Sequence, residues 1–251
     1  MGFIRANAIP ILREHRLRPF SGRCLTLGQA DMYFDKPALD RMAHAAGVAL
    51  GPAPATLSHR ADFAQKGYIS REAFFLSLGF SEVVSLDKSR FEGAEIEFDL
   101  NSPSLPPELQ GAFDCVVDHG TLEHVFHLPN CLANIGGMLK PSGRMIHSSP
   151  SHNYFDHGFY MFSPTLFADF YAVNEWTIHS IQVYQIRPER QEIEAPFFAD
   201  YEPGIFATQS AGGMDGKAYG TVCVVQKAVT STVHKIPDQS YYSKMPQWRA
   251  S

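Results

Sequence analysis

Short apolar runs and longer amphipathic stretches alternate through the centre of the chain. Phe113–Asp118 is a run of strand-forming residues, too short for a helix, that ends on a carboxylate. Apolar residues then recur at the three-to-four spacing of a buried helical stripe, at Leu128, Leu132, Ile135 and Leu139. Residues 141–143, Pro-Ser-Gly, break that helix, and a strand resumes over residues 144–147. A strand, a helix and a strand joined by short loops predict a right-handed parallel crossover.

Similar patterns predict the remaining elements. Strands are expected at residues 23–27, 82–86, 96–98, 177–186 and 219–225. Helices are expected at residues 9–17, 36–48 and 70–78, and after the cap formed by Ser163 and Pro164. Ligands of such sheets bind at the carboxyl ends of the strands, so Asp118, His119 and Gly120 are the first candidate site residues.

Composition limits the number of domains and the class of partner. With 251 residues, 45% of them hydrophobic, the chain can build the core of one large α/β domain. Its formal charge is −5, and it has no long run of basic residues. This balance argues against a dedicated nucleic-acid binder, although it leaves tRNA or protein substrates open.

The cysteines and the N-terminus indicate the compartment. Four cysteines are scattered without a CxxC pair, and Cys24, Cys115 and Cys223 lie in strand-like runs, which predicts buried reduced thiols. The first residues lack the apolar core and cleavage site of a signal peptide, and no stretch approaches eighteen apolar residues. The expectation is a soluble, cytoplasmic protein.

The central unit also carries a family resemblance. FDCVVDHGTLEHV, followed by MLKPSGRMIHSSP, resembles the fourth-strand and fifth-strand motifs of class I S-adenosylmethionine-dependent methyltransferases. The resemblance covers residues 21–228. It implies a doubly wound, seven-stranded, mostly parallel α/β sheet with an antiparallel closing strand and a helical insertion after the first strand. It also implies S-adenosyl-L-methionine as cofactor and S-adenosyl-L-homocysteine as product.

The same resemblance divides the chain into a methyltransferase-like domain, residues 1–228, and a polar tail, residues 229–251. Residues 32–80 are a long insertion between the first and second strands. We expect this insertion to cap the substrate, because loops of such length are usually functional; a purely structural elaboration is the alternative. Residues 187–217, rich in Pro, Gly and acidic residues, are expected to form a second rim element.

The cofactor residues follow from the strand ends. The loop after the first strand keeps only Gly28 of the family's usual glycines, although Ala30 is small enough for close approach. Asp87, at the tip of the second strand, suits the two ribose hydroxyls of a nucleoside, and Asp99 matches the acidic residue that takes the adenine amino group in the family. The cofactor-binding residues that the resemblance implies are Leu27, Gly28, Gln29, Ala30, Asp87, Lys88, Asp99, Leu100, Asp118, His119 and Gly120.

Histidines supply the candidate bases. Methyl transfer to a hydroxyl requires a base whose pKa is near neutrality, which favours histidine. His157 is the preferred base, because HGFYMFSP resembles a segment in which a histidine and a tyrosine face the pocket in a subset of these methyltransferases. Tyr160 is the corresponding tyrosine. His152, His119 and Asp118 are the other candidates for the base.

Not every polar side chain near the strand ends is expected to act as a base. His147 lies inside a strand pattern and is expected to be a satisfied core residue, and His124, in LEHV, is expected to be mainly structural. A divalent cation held by Asp118 with His152 or Asp156 is the sharper alternative use of the cluster. Because the spacing fits no known ligand signature, no metal site is predicted.

The rim after the fifth strand indicates the acceptor. It is rich in aromatic rings, which suit stacking on a sugar: Tyr154, Phe155, Phe159, Tyr160 and Phe162. We therefore expect O-methylation of a small polar molecule, such as a sugar or a sugar nucleotide, by in-line transfer with a histidine base. A methyltransferase acting on protein or RNA is an alternative. No membrane or nucleic-acid partner is expected, and a homodimer is left open.

Two other classes compete with an enzyme of this kind. The eroded glycine loop motivates a non-catalytic partner subunit that has kept the fold, whereas the presence of both Asp87 and Asp99 speaks against it. A nicotinamide-dependent oxidoreductase is disfavoured, because the dinucleotide-binding glycines are missing.

Overall fold

Two β-sheets organise the described residues of the computed structural model, which are 2–186, 197–209 and 211–243. The strands are β1 (Gly2–Phe3), β2 (Arg23–Leu27), β3 (Asp31–Met32), β4 (Glu82–Asp87), β5 (Ile96–Glu97), β6 (Phe113–Asp118), β7 (Leu139–His152), β8 (Thr177–Ile186), β9 (Phe198–Asp200) and β10 (Ala218–Gln226). The main sheet has the order β5-β4-β2-β6-β7-β10-β8-β9, and β1 pairs with β3 separately.

The strand directions confirm the predicted mostly parallel sheet with an antiparallel end. From β5 to β7 every pairing is parallel, whereas β10 runs antiparallel to both β7 and β8. Leu27 lies opposite Leu86 on one side and Asp118 on the other, so three strand ends meet at one edge. The sheet has one strand more than the seven predicted, because β9 pairs antiparallel with β8.

Seven helices accompany the sheets in the described residues: α1 (Arg5–Leu17), α2 (Lys36–Ala46), α3 (Ala61–Ala64), α4 (Arg71–Ser77), α5 (Leu128–Met138), α6 (Pro164–Val173) and α7 (Ser240–Ser243). Capping residues account for several ends. Asp35 accepts the Ala38 N–H at 2.8 Å at the start of α2, and Gly47, with φ of 68°, ends it. Helix α1 begins four residues earlier than predicted, because Asn7 Oδ1 accepts the Ile4 N–H at 2.7 Å and closes an earlier first turn.

The predicted break at residues 141–143 is wrong, because these residues lie inside the long strand β7. Ser142 has a φ of +66°, and its N–H donates to Lys227 O at 2.8 Å. The register between β6 and β7 shifts between Phe113 and Cys115 at this point. Residues 141–143 therefore form a bulge within the strand instead of a turn between two elements.

A hydrophobic layer covers each face of the main sheet. Alternate strand residues supply the two layers: Cys24 and Val117 face one, and Leu25 and Val116 face the other. Helices α1, α2 and α4 pack on the first layer, and α5 and α6 pack on the second. Much of the insertion at residues 32–80 is thus part of the core. Its role as a substrate cap stays a prediction.

The cysteines are as predicted, since all four are buried and carry free thiols. No helix among residues 2–186, 197–209 and 211–243 has the length and apolar character needed to cross a bilayer.

The two C-terminal segments are partly described. Of the predicted rim at 187–217, residues 187–196 and 210 lie outside the described residues, while β9 extends the sheet. The tail is anchored near its start: Thr232 O accepts the Trp176 Nε1–H at 2.7 Å, and Asn174 Oδ1 accepts the Lys235 N–H at 3.0 Å. Residues 244–251 lie outside the described part of the tail.

Candidate functional site

Gly28 lies where the carboxyl ends of β2, β4 and β6 meet. Its φ is +78°, a conformation that favours glycine, and its N–H donates to Leu86 O at 2.7 Å. A Cβ at this position would lie 3.2 Å from Thr121 Oγ1 and 3.9 Å from Asp87 Oδ2. The structure therefore brings the glycine loop, Asp87 and the loop after β6 together.

Asp87 and Asp99 extend this edge towards β5. Asp87 Oδ1 accepts the Lys88 N–H at 2.6 Å, and Lys88 Nζ lies 3.0 Å from Asp99 Oδ2. Asn101 donates to Asp99 from its backbone N–H and its amide, and these bonds lower the pKa of Asp99. The charged Asp99 carboxylate is partly exposed and can accept further hydrogen bonds.

Asp118 lies beneath the edge and supports the loop after β6. It is fully buried; Oδ1 accepts the Thr121 N–H at 2.8 Å, and Oδ2 accepts from Ser149 Oγ at 3.1 Å. His147 Nδ1 lies 3.3 Å from Oδ2, and His147 Nε2 lies 2.6 Å from Tyr171 OH, so His147 is a satisfied core histidine, as predicted. Burial alone would raise the pKa of Asp118, but the hydrogen bond and charge of His147 hold it below its usual value.

His119 is buried beside the glycine loop. It follows Asp118, which pairs with Leu27, and its ring packs against Phe3 at 5.6 Å. Neither ring nitrogen has a hydrogen-bond partner within the described residues. Burial lowers the pKa of His119 to about 4, so the ring is neutral at pH 7. Two buried ring nitrogens without partners are unusual, because buried polar groups in folded proteins are nearly always hydrogen-bonded.

The remaining predicted cofactor residues lie deeper or face the insertion. Leu27, Ala30 and Leu100 are buried. Gln29 Oε1 accepts from Arg71 Nη1 at 2.9 Å and lines a cavity of about 390 Å³ that also contacts the insertion.

A second cluster forms at the rim, where the loop after β7 contacts the turn that follows β6. Phe159 N–H donates to Glu123 O at 2.7 Å, and a Cβ at Gly158 would lie 2.8 Å from the same oxygen. This close approach places His157 Nε2 3.5 Å from Glu123 Oε1, and His124 Nε2 lies 4.0 Å from it. The two imidazole rings are 5.2 Å apart.

Glu123 is the functional candidate that the sequence interpretation missed. Its side chain is 1% exposed, and Oε2 has no hydrogen-bond partner among the described residues. Burial raises the pKa of Glu123 to about 8, and the charge of Asp118 adds to the rise. The adjacent Glu-His pair in LEHV was visible, but nothing in the spacing indicates that His157, from a distant loop, joins it.

The other predicted catalytic residues lie apart from this cluster or at its border. His152 Nε2 lies 3.2 Å from Asp215 O, and Tyr160 OH donates to Phe126 O at 2.7 Å. The alternative cation site, Asp118 with His152 or Asp156, is not among the groups of potential metal ligands found in the described residues. Glu123, His124 and His157 are the one group of three potential metal ligands found in residues 2–186, 197–209 and 211–243.

The order of strands decides the fold. Five parallel strands with β2 at their centre are followed by β10, which runs antiparallel between β7 and β8. This is the closure that the family resemblance implies. The chain has the class I methyltransferase fold.

Comparisons with known proteins find distant structural similarities. No family model and no curated protein matches the chain. Solved structures that match include a 1,6-didemethyltoxoflavin N1-methyltransferase of Burkholderia thailandensis, with 16% identity over 89% of this chain and 78% of that one and a TM-score of 0.42. The YcgJ protein of Bacillus subtilis matches with 10% identity over 88% and 98% and a TM-score of 0.44.

A geranyl diphosphate methyltransferase also matches, with 16% identity over 88% of this chain and 84% of that one and a TM-score of 0.37. The order and directions of the strands, rather than these distant similarities, establish the fold.

Proposed function

We propose that the chain is an S-adenosylmethionine-dependent methyltransferase. The observation that carries this proposal is the edge at which Gly28, Asp87 and Asp99 gather, where the carboxyl ends of the parallel strands meet. The residues fit the cofactor: a strand-tip carboxylate accepts two ribose hydroxyls, and a second acidic residue accepts an adenine amino group. The bare backbone of Gly28 permits close approach of the ligand.

We propose that the acceptor is a small polar molecule such as a sugar, methylated on oxygen. Exposed aromatic side chains at the rim support this proposal, since Phe155 is 83% and Phe159 65% exposed and both are available for stacking. Methyl transfer is an in-line displacement, so the protein aligns the sulfonium methyl group with the acceptor oxygen and excludes water.

We propose that His157 takes the proton of the acceptor hydroxyl in the cation-free protein. Its half-exposed ring can reach a ligand at the rim, and its Nε2 lies 3.5 Å from Glu123 Oε1, which limits the orientation of the ring. His152 and His119 are weaker candidates, because His152 faces Asp215 O and His119 is buried.

Calorimetric titration with S-adenosylmethionine and S-adenosylhomocysteine tests the cofactor proposal. We expect micromolar binding to the wild type and at least tenfold weaker binding (about 1.4 kcal/mol) to Asp87→Ala. Asp40→Ala is the matched control, since Asp40 is an exposed aspartate on α2 that pairs with Lys36. Absence of binding to the wild type would overturn the proposal and favour the non-catalytic partner subunit.

A further inference from the structure

Three side chains with metal-binding atoms converge at the rim from two loops. Glu123 and His124 lie in the turn after β6, and His157 lies in the loop after β7. Their potential ligand atoms all lie within 4.8 Å of one another. Two backbone N–H groups, of Phe159 and Tyr160, donate to Glu123 O and tie one loop to the other. The arrangement is therefore built into the backbone and does not depend on the side chains alone.

One oxygen of the buried carboxylate in this cluster has no hydrogen-bond donor among the described residues. Glu123 is 1% exposed, its Oε2 has no donor among the described residues, and its Oε1 lies 3.5 Å from His157 Nε2 and 4.0 Å from His124 Nε2. Burying an ionised carboxylate without donors is unfavourable, so such a group either keeps its proton or pairs with a cation. The Oε2 atom without a partner is thus a second observation, beside the grouping of the three side chains, for which a bound cation would account.

We propose that Glu123, His124 and His157 bind one divalent transition-metal cation. The side chains need only small movements to do so. Ligand atoms bonded to a tetrahedral zinc ion at about 2.1 Å lie about 3.4 Å apart, and the separations here are 3.5 Å and 4.0 Å from Oε1 to the two imidazoles. His124 and His157 are 41% and 46% exposed, so their rings can rotate to close the difference.

The donor set selects the class of cation. Two imidazole nitrogens and one carboxylate oxygen suit zinc, iron, cobalt or nickel, whereas magnesium and calcium prefer sites made of oxygen alone. Three protein ligands also leave at least one coordination position for an oxygen atom from water or from an acceptor molecule.

For the methyltransferase reaction, this inference rests on the proposed function and deepens it. An acceptor hydroxyl coordinated at the open position would lose its proton to solvent water more readily, because the cation would stabilise the resulting alkoxide, which would then take the methyl group from the sulfonium. His157 then acts as a ligand and not as a base, so the two roles of this histidine exclude each other. Cation binding itself does not depend on methyl transfer and can be measured alone.

Titration of the chelator-stripped full chain with Zn²⁺, followed by calorimetry, tests the site, and Co²⁺ absorption in the visible range reports its coordination. We expect one ion per chain. Glu123→Gln keeps the shape of the side chain and removes its charge, and His157→Gln removes one imidazole; each should weaken binding at least tenfold (about 1.4 kcal/mol). His127→Gln is the matched control, because His127 is an exposed histidine outside the cluster. Circular dichroism verifies that each variant is folded.

Three outcomes contradict the inference: no Zn²⁺ binding to the wild type, equal binding to the wild type and both cluster variants, or an equal loss in His127→Gln. S-adenosylmethionine titration of the same samples separates this inference from the proposed function. A chain that binds the cofactor but no Zn²⁺ overturns only the cation site, and a chain that binds Zn²⁺ but no cofactor overturns only the methyltransferase proposal.

Discussion

Two buried carboxylates, five residues apart, have opposite surroundings. Asp118 and Glu123 are 0% and 1% exposed, yet every oxygen of Asp118 accepts a hydrogen bond, whereas Glu123 Oε2 accepts none among the described residues. The pKa of Asp118 is accordingly lowered, and that of Glu123 is raised to about 8. Burial alone does not determine the role of an acid. The satisfied carboxylate holds the fold, and the unsatisfied one is available to a ligand.

The largest effect is expected at the satisfied carboxylate. Asp118→Asn replaces one carboxylate oxygen by an NH2 group and removes the negative charge. Hydrogen bonds from Thr121 N, Ser149 Oγ and His147 to this fully buried side chain are therefore weakened or lost. We expect the free energy of unfolding to fall by about 2–4 kcal/mol, measured by urea denaturation. Asp87→Ala, at the partly exposed edge, serves as the comparison and should lose under about 1 kcal/mol. Equal losses of unfolding free energy in both variants would contradict the structural role of Asp118.

An intermediate effect is expected at a third carboxylate, which is satisfied but lies nearer the surface. Hydrogen bonds from Arg71 and Ser85 outweigh burial and lower the pKa of Glu95 to about 2. Because the folded pKa is below the usual value of 4.5, Glu95 stabilises the fold above about pH 4.5, and this contribution is lost as the pH falls towards 2.

Since Glu95 is 44% exposed, the acid-induced loss that it causes should be only about 1–2 kcal/mol. Unfolding measured between pH 5 and pH 2.5 should be less pH-dependent in Glu95→Gln than in the wild type. Glu97→Gln is the matched control, because Glu97 lies two residues further along the chain, in β5. A Glu95→Gln profile parallel to that of the wild type would show that the ion pair with Arg71 contributes little.

The smallest effect is expected at the unsatisfied carboxylate. With a pKa of about 8, Glu123 is mostly protonated at pH 7 in the cation-free protein, so Glu123→Gln changes little. The free energy of unfolding should stay within about 1 kcal/mol of the wild-type value. A loss comparable to that of Asp118→Asn would mean that Glu123 also holds the fold, and the distinction between the two acids would fail.

The fold was predictable because its signals are local. Strands β2, β6 and β10 are buried on both faces, so each is visible in the sequence as a short continuous run of apolar residues. Features that depend on distant contacts were not predictable. The bulge at Ser142 arises from pairing with Lys227, and the short strand β9 exists through its pairing with β8.

The site was predictable only in part, because a sequence pattern does not show where a side chain points. Gly28 and Asp87 do lie together at the strand ends, as predicted. Asp118, assigned to the same ligand-facing set, points inward to His147 and Ser149. Glu123 acquires its significance from His157, which lies 34 positions later and is brought near by contacts of Phe159.

The pairing of β1 with β3 gives the first residues of the chain an influence on the ligand edge. Phe3 forms one wall around the unsatisfied imidazole of His119, and its carbonyl accepts the Tyr33 N–H at 3.0 Å, a few residues after the glycine loop. A protease that trims these residues, or a fusion that pulls them away, would remove this contact and expose the His119 ring to solvent. Preparations that differ only ahead of α1 can therefore differ in the surroundings of this imidazole.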